Sequence, residues 1–176
     1  FGLLYITFLL HYFVRIIQVS DVESTSQTLG FGLFFSLWVV VVAKFSDIGA
    51  LLVGKAIGRT KMAPSISPGK TVEGLIGGLA ASSGLGALLP WLAINHFPNL
   101  VDFGTWSFST GQGAVWGLLI AVAAVIGDLI ASVLKRLAGM KDSGGAIPGI
   151  GGLLDLTDSL ILAAPTGYFV LMILSP

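Results

Sequence analysis

The sequence predicts an all-α, polytopic membrane bundle of about five transmembrane helices, organised as a single integral-membrane domain over 1–176. Three observations predict it. Of the 176 residues, 55% are hydrophobic and only 10% charged, where an ordinary soluble domain carries about 25% charged residues. The mean hydropathy is +0.94. Apolar runs near the length of about 20 residues that a spanning helix requires recur along the chain, at roughly 1–19, 29–45, 74–96, 112–134 and 153–174.

Taken in order, the first run starts at Phe1 with no basic flank or evident cleavage site. It reads as a span in a chain lacking upstream sequence, rather than as a signal peptide. Within it His11 is expected to pack, and Arg15, near one end, to snorkel to the interface. The second run continues into SDIGALLVGKAIG (46–58), apolar but short and interrupted by Asp47 and Lys55. That segment is either a half-helix or an extension of the second span. The third run places Gly74, Gly78, Ser82 and Gly86 four apart on one helical stripe. Small residues at this spacing let helix backbones approach closely, so the stripe is expected to be a packing face. The linker 97–111 contains Pro, Asn, Gly and aromatics but no Lys or Arg, which predicts an interfacial loop with Trp106 and Phe108 at headgroup level. The fourth and fifth runs flank a charged, glycine-rich connection. The chain has no evident fixed-period repeat and no linker polar enough to separate a second domain.

Charge is scarce but concentrated. Eight of the nine basic residues (Lys44, Lys55, Arg59, Lys61, Lys70, Lys135, Arg136 and Lys141) fall within 44–70 and 135–141. Five alternating spans put both regions on one side, which the positive-inside rule makes cytoplasmic. Cysteine is absent, which excludes disulfides and thiolate chemistry. His11 and His96 sit on different elements, which argues against a zinc site.

Residues 132–158, SVLKRLAGMKDSGGAIPGIGGLLDLTD, gather Lys135, Arg136 and Lys141 with Asp142, Asp155 and Asp158 around a run of glycines. Just upstream, Asp128 interrupts an apolar helix, on the face it shares at i, i+4 and i+7 with Ser132 and Lys135. A carboxylate at this depth is costly in lipid and faces protein or water. It is read either as a structural ion pair with Lys135 or Arg136, or as a functional acid. Asp155 and Asp158 share a face at i, i+3 at the start of the last span, where one of them could simply cap the helix. Several carboxylates facing a basic cluster need a cation between them, and Mg²⁺ suits oxygen ligands of this kind. In the other basic linker, Gly69, Lys70 and Thr71 look like the end of a P-loop. Pro64 occupies the position of the required first glycine and no strand is expected before it, so a Walker A assignment fails. What remains is a Pro-stiffened turn presenting Ser65, Ser67, Lys70 and Thr71 at a helix N-terminus. It is read either as a phosphate-binding element or as a basic loop attracted to anionic lipid.

These two blocks resemble the motifs of the phosphatidate cytidylyltransferase (CDP-diacylglycerol synthase) family. The first is Ser132, Leu134, Lys135, Arg136, Lys141, Asp142, Gly144, Pro148, Gly151, Gly152, Asp155 and Asp158; the second is Asp47, Gly49 and Ala50, then Ser67, Pro68, Gly69, Lys70, Thr71, Glu73 and Gly74. Gly127, Asp128 and Leu129 match the Gly-Asp-Leu that precedes the first block. The resemblance covers about 44–175, the catalytic region, and is weak over the N-terminal helices of 1–43. Two positions depart from the family pattern: Ile150 stands where His is usual before the glycine pair, and Leu156 where Arg usually follows the first Asp of the final motif. The first change removes a polar group or proton carrier, the second a fixed cation.

The resemblance implies a membrane-bound, Mg²⁺-dependent nucleotidyltransferase that converts CTP and phosphatidic acid to CDP-diacylglycerol and pyrophosphate. On that basis Asp128 and Asp155 are expected to hold Mg²⁺, with room for a second cation. Lys135, Arg136, Lys141, Asp142 and Asp158 form the expected catalytic set. Ser67, Lys70, Thr71, Ser132, Gly144, Gly151 and Gly152 are expected to bind substrate. The same resemblance implies a bacterial inner (plasma) membrane protein with its site facing the cytoplasm, embedded in the lipid bilayer, with no nucleic-acid partner and compatible with a homodimer. The competing readings are an ion-coupled transporter, since intramembrane carboxylates also mark ion paths, and a related lipid nucleotidyltransferase or polyprenol kinase.

Overall fold

The structure is a computed structural model that describes residues 2–20, 29–64, 66–137, 139 and 153–175, with side chains for 7–19, 29–64, 66–137, 139 and 157–175. Five helices form the body: α1 (Gly2–Ser20), α2 (Phe31–Ile57), α3 (Val72–Asn95), α4 (Thr110–Leu137) and α5 (Leu153–Leu174). By length and composition α2, α3, α4 and the 157–174 part of α5 can cross a membrane; the apolar described part of α1, Thr7–Val19, is shorter. The all-α bundle expected from the apolar runs is therefore present. α2 is the hub, packing against all four other helices. It runs unbroken from Ser46 to Ile57, with Gly58 as its C-cap, so the extension reading of that segment is correct.

The glycine stripe explains how closely the helices approach. Gly74, Gly78, Ser82 and Gly86 are all buried. A methyl added at Gly78 would lie 2.5 Å from the Ser46 carbonyl oxygen of α2, and one at Gly74 would lie 2.6 Å from that of Ala50. At the other end of the stripe, a methyl on Gly86 would run into the backbone of Gly113 on α4. Polar side chains on the same helix then bond neighbouring backbones. The Ser82 hydroxyl donates to the Val42 carbonyl at 2.8 Å, and that of Ser83 to Ala114 at 3.1 Å. Pro90 lies inside α3 and has no N–H to offer the carbonyl of Gly86 four residues earlier. The Trp38 indole N–H of α2 fills that vacancy, donating to the Gly86 oxygen at 3.1 Å.

The end of the bundle where α2 begins is closed by rings. Phe31, Phe35, Trp38 and Phe108 belong to the buried core, with Phe34, Phe103 and Trp106 packed against it. Trp106 stacks on Phe31 with centroids 5.2 Å apart, and Phe108 meets Trp38 edge to face at 5.1 Å. Phe108 is only 3% exposed, so its ring packs into the bundle core. Once α2 offers several aromatic faces at this end, ring-on-ring packing favours folding the linker inward. A two-residue parallel bridge anchors that linker, with β1 (Leu29–Gly30) pairing with β4 (Val101–Asp102).

At the opposite end the segment between α2 and α3 forms a hairpin, with β2 (Lys61–Ala63) antiparallel to β3 (Ser67–Thr71) in the register Lys61↔Thr71 and Ala63↔Ser67. A short strand does precede Pro64, contrary to the sequence expectation. It pairs with β3 rather than feeding a helix, so the Walker A assignment still fails. The Glu73 carboxylate of α3 fixes the base of the hairpin, accepting from the backbone N–H of Arg59 at 3.1 Å and of Thr60 at 3.2 Å.

Candidate active site

Four helices and the hairpin converge on one cavity of about 460 Å³, within the size range of small-molecule sites. Three carboxylates line it: Asp47 from α2, Asp128 from α4 and Asp158 from α5. Ser67, Gly69, Lys70 and Thr71 of the hairpin line it as well, and Leu51, Met62, Leu75 and Val125 give it an apolar wall. Asp128 is separated from the end of α4 by nine residues, about 14 Å of helix at 1.5 Å per residue. The hairpin reaches down to this depth.

Each acid faces its own lysine. Lys70 forms a close ion pair with Asp128, both side chains largely buried. Lys135 reaches Asp158 at 3.6 Å with both side chains only 13% and 10% exposed. Lys44 lies 3.7 Å from Asp47. Of these six groups three are positive and three negative, so they balance. The expected structural pairing of Asp128 with Lys135 or Arg136 is not the one that forms. Seven residues along a helix is about 10 Å, too far for direct contact, and Lys135 reaches across to α5 instead. Lys70 Nζ is buried and, among the described residues, has no hydrogen-bond partner of good geometry beyond its ion pair. An ammonium carries three donors, so an anion entering the cavity meets unused ones.

The other expected site residues separate. Thr71 is the N-cap of α3, its hydroxyl accepting from the Gly74 N–H at 3.1 Å. Ser132 is half-buried on α4 and outside the cavity lining. Arg136 is exposed and its Nε donates to the Ile66 carbonyl at 3.4 Å, bracing the turn of the hairpin against the end of α4. Lys141, Asp142, Gly144, Gly151 and Gly152 lie outside the described residues, as do Ser65, Ile150 and the side chains of Asp155 and Leu156. The sequence placed Asp47 in a motif block without giving it a role at the site, and it missed Lys44 and Ser159, whose Oγ accepts from Lys44 Nζ at 2.8 Å. The available clues were an Asp three residues after a Lys inside an apolar helix, and a Ser directly after Asp158.

The model of the cytidylyltransferase family matches residues 1–174. The chain belongs to the cytidylyltransferase family. The match includes the N-terminal 1–43 that the two motif blocks leave uncovered. Among similar proteins, the phosphatidate cytidylyltransferase of Synechocystis is 40% identical over 145 residues, 82% of this chain and 45% of the relative. That of Haemophilus influenzae is 41% identical over 144 residues, 81% of this chain and 48% of the relative. That of Bacillus subtilis is 34% identical over 172 residues, 98% of this chain and 56% of the relative. The chain thus spans about half the length of the curated relatives it matches.

Proposed function

We propose that this chain carries the catalytic centre of a phosphatidate cytidylyltransferase, joining CTP to phosphatidic acid to give CDP-diacylglycerol and pyrophosphate. One observation carries the reading beyond the family relationship. Lys70 and three aspartates from three helices meet in a cavity that also has an apolar wall, a combination suited to a charged phosphate attached to a lipid. Leu51 lines that wall and is 55% exposed on the bundle surface, so acyl chains can stay in the bilayer while the headgroup enters.

In the reaction, a phosphate oxygen of phosphatidic acid forms a bond to the α-phosphorus of CTP. The bond from that phosphorus to the bridging oxygen breaks, and its electron pair leaves with pyrophosphate. Such transfers depend mainly on positioning and charge neutralisation. Lys70 exchanges the Asp128 carboxylate for phosphate oxygens. Lys135, on the rim behind Asp158, adds positive charge. The Gly69 backbone, with open space where a side chain would sit, lets an anion approach β3.

The residues also fit Mg²⁺. Among the described residues no three acids or histidines sit close enough to cage a metal ion, but Mg²⁺ usually needs only one or two carboxylates, completing its shell with water and substrate phosphate. Asp128 with Asp158 would hold it, joined by Asp155 if the two converge. When bound it would neutralise charge on the phosphates. We place the charged end of the bundle in the cytoplasm of a bacterial inner membrane, because Lys55, Arg59 and Lys61 are exposed there and basic residues favour that side. The cavity is assembled within one chain, so a homodimer is not needed to form it.

The test is incubation of the protein in liposomes with labelled CTP, Mg²⁺ and phosphatidic acid. Pyrophosphate release that needs both substrates and stops on chelation is the expected result. ADP formed from ATP and a lipid alcohol would replace this reading with a kinase.

A further inference from the structure

The side chains of Ser159 and Lys44 lie behind the cavity and belong to no motif block. Ser159 is fully buried, 0% exposed, one residue beyond Asp158 on α5. Its hydroxyl accepts from Lys44 Nζ at 2.8 Å, and the same Nζ lies 3.7 Å from the Asp47 carboxylate. Its backbone N–H donates to Asp158 Oδ1 at 2.8 Å. One residue therefore bonds one cavity acid directly and, through Lys44, is tied to a second on another helix. A buried serine needing only its own satisfaction could bond a helix carbonyl, as Thr166 does to Leu162 at 2.8 Å. Ser159 instead holds the Lys44 cation of α2 that pairs with Asp47.

We infer that Ser159 is a positioning residue, which with Lys44 fixes the Asp47 carboxylate in the cavity so that it faces the bound nucleotide. This rests on the reading of the cavity as the nucleotide site. Hydrogen bonds to charged groups contribute enough that losing one costs about 10-fold or more in the quantity they support. Ser159→Ala removes the hydroxyl without adding volume, and the backbone bond to Asp158 is kept.

The experiment is a double-mutant cycle on the protein in liposomes, comparing wild type, Ser159→Ala, Asp47→Asn and the double variant, with thermal midpoints measured on all four. Ser159→Ala is expected to lower kcat about 10-fold and Asp47→Asn by more. The double variant should match Asp47→Asn alone, because residues acting as one unit are non-additive. A merely structural serine would give multiplying losses. Wild-type kcat in Ser159→Ala, or a double variant showing the product of the two losses, overturns the inference. The same cycle read as affinity for Mg²⁺–CTP by calorimetry needs no turnover. Additive weakening there removes the role of Ser159 whatever the reaction. A wild type that binds Mg²⁺–CTP without transferring the nucleotide overturns the reaction while leaving the cycle to judge Ser159.

Discussion

At one end of the bundle, Phe31, Phe35, Trp38 and Phe108 close the core ring against ring. At the other, Lys70, Lys135 and Lys44 each face an aspartate around a cavity. At the aromatic end the Trp38 indole N–H serves the carbonyl that Pro90 leaves free. The charged end holds its ions in pairs that an incoming ligand can rearrange. Charges this far from water are costly to retain, and a hydrophobic replacement of the same volume often stabilises a protein. Their presence at one end alone is best understood as chemistry rather than architecture. Substitutions at the aromatic end should therefore act on stability, and those at the charged end on turnover.

Four substitutions can break or sharpen that contrast. The largest effect is expected from Asp128→Asn, which should lower kcat by about 1,000-fold, the scale seen when a key electrostatic group is removed, with a thermal midpoint close to wild type. Near-normal turnover would end the comparison. Lys70→Met should follow at about 100-fold in kcat/KM for CTP, measured by initial rates over a range of CTP concentrations. A loss confined to phosphatidic acid would assign this lysine to the lipid phosphate instead. Third, Phe31→Ala should cost about 3 kcal/mol, toward the low end for buried phenylalanines, because a lipid-facing unfolded state leaves packing rather than water exclusion as the main loss. Reversible unfolding in detergent measures it, and activity per folded molecule should not change. The smallest effect is expected from Gly113→Ala, whose methyl would strike the Gly86 backbone. Forcing the two helices apart should cost about 2 kcal/mol, read as a lowered thermal midpoint. If either of the last two abolishes turnover in folded protein, the two ends are coupled and the contrast is too simple.

Local chemistry made much of this legible in advance. Gly74, Gly78, Ser82 and Gly86 mark a close helix contact because only small side chains permit one, and all four are buried between helices. Lys70 and Asp128 draw attention because ions in an apolar chain require a reason, and both line the cavity. What could not be read was pairing. Asp128 meets Lys70 from a hairpin 58 positions away in the chain, not Lys135 on its own helical face. That Phe108 enters the core could not be read from its own linker. Its burial depends on rings that α2 supplies from far upstream.

Composition and periodicity, being properties of neighbouring residues, settle by themselves that this chain is a bundle of apolar helices carrying charge mostly in two short stretches. Which acid meets which lysine, that Asp47 joins the site, that Arg136 braces a hairpin and that Ser159 links two helices were decided by tertiary packing alone. Helices separated by dozens of residues can be rotated and shifted in many ways that satisfy the same apolar pattern. Only the close approach at the small residues of α2, α3 and α4, together with the hairpin seated between them, selects the one arrangement in which these groups touch.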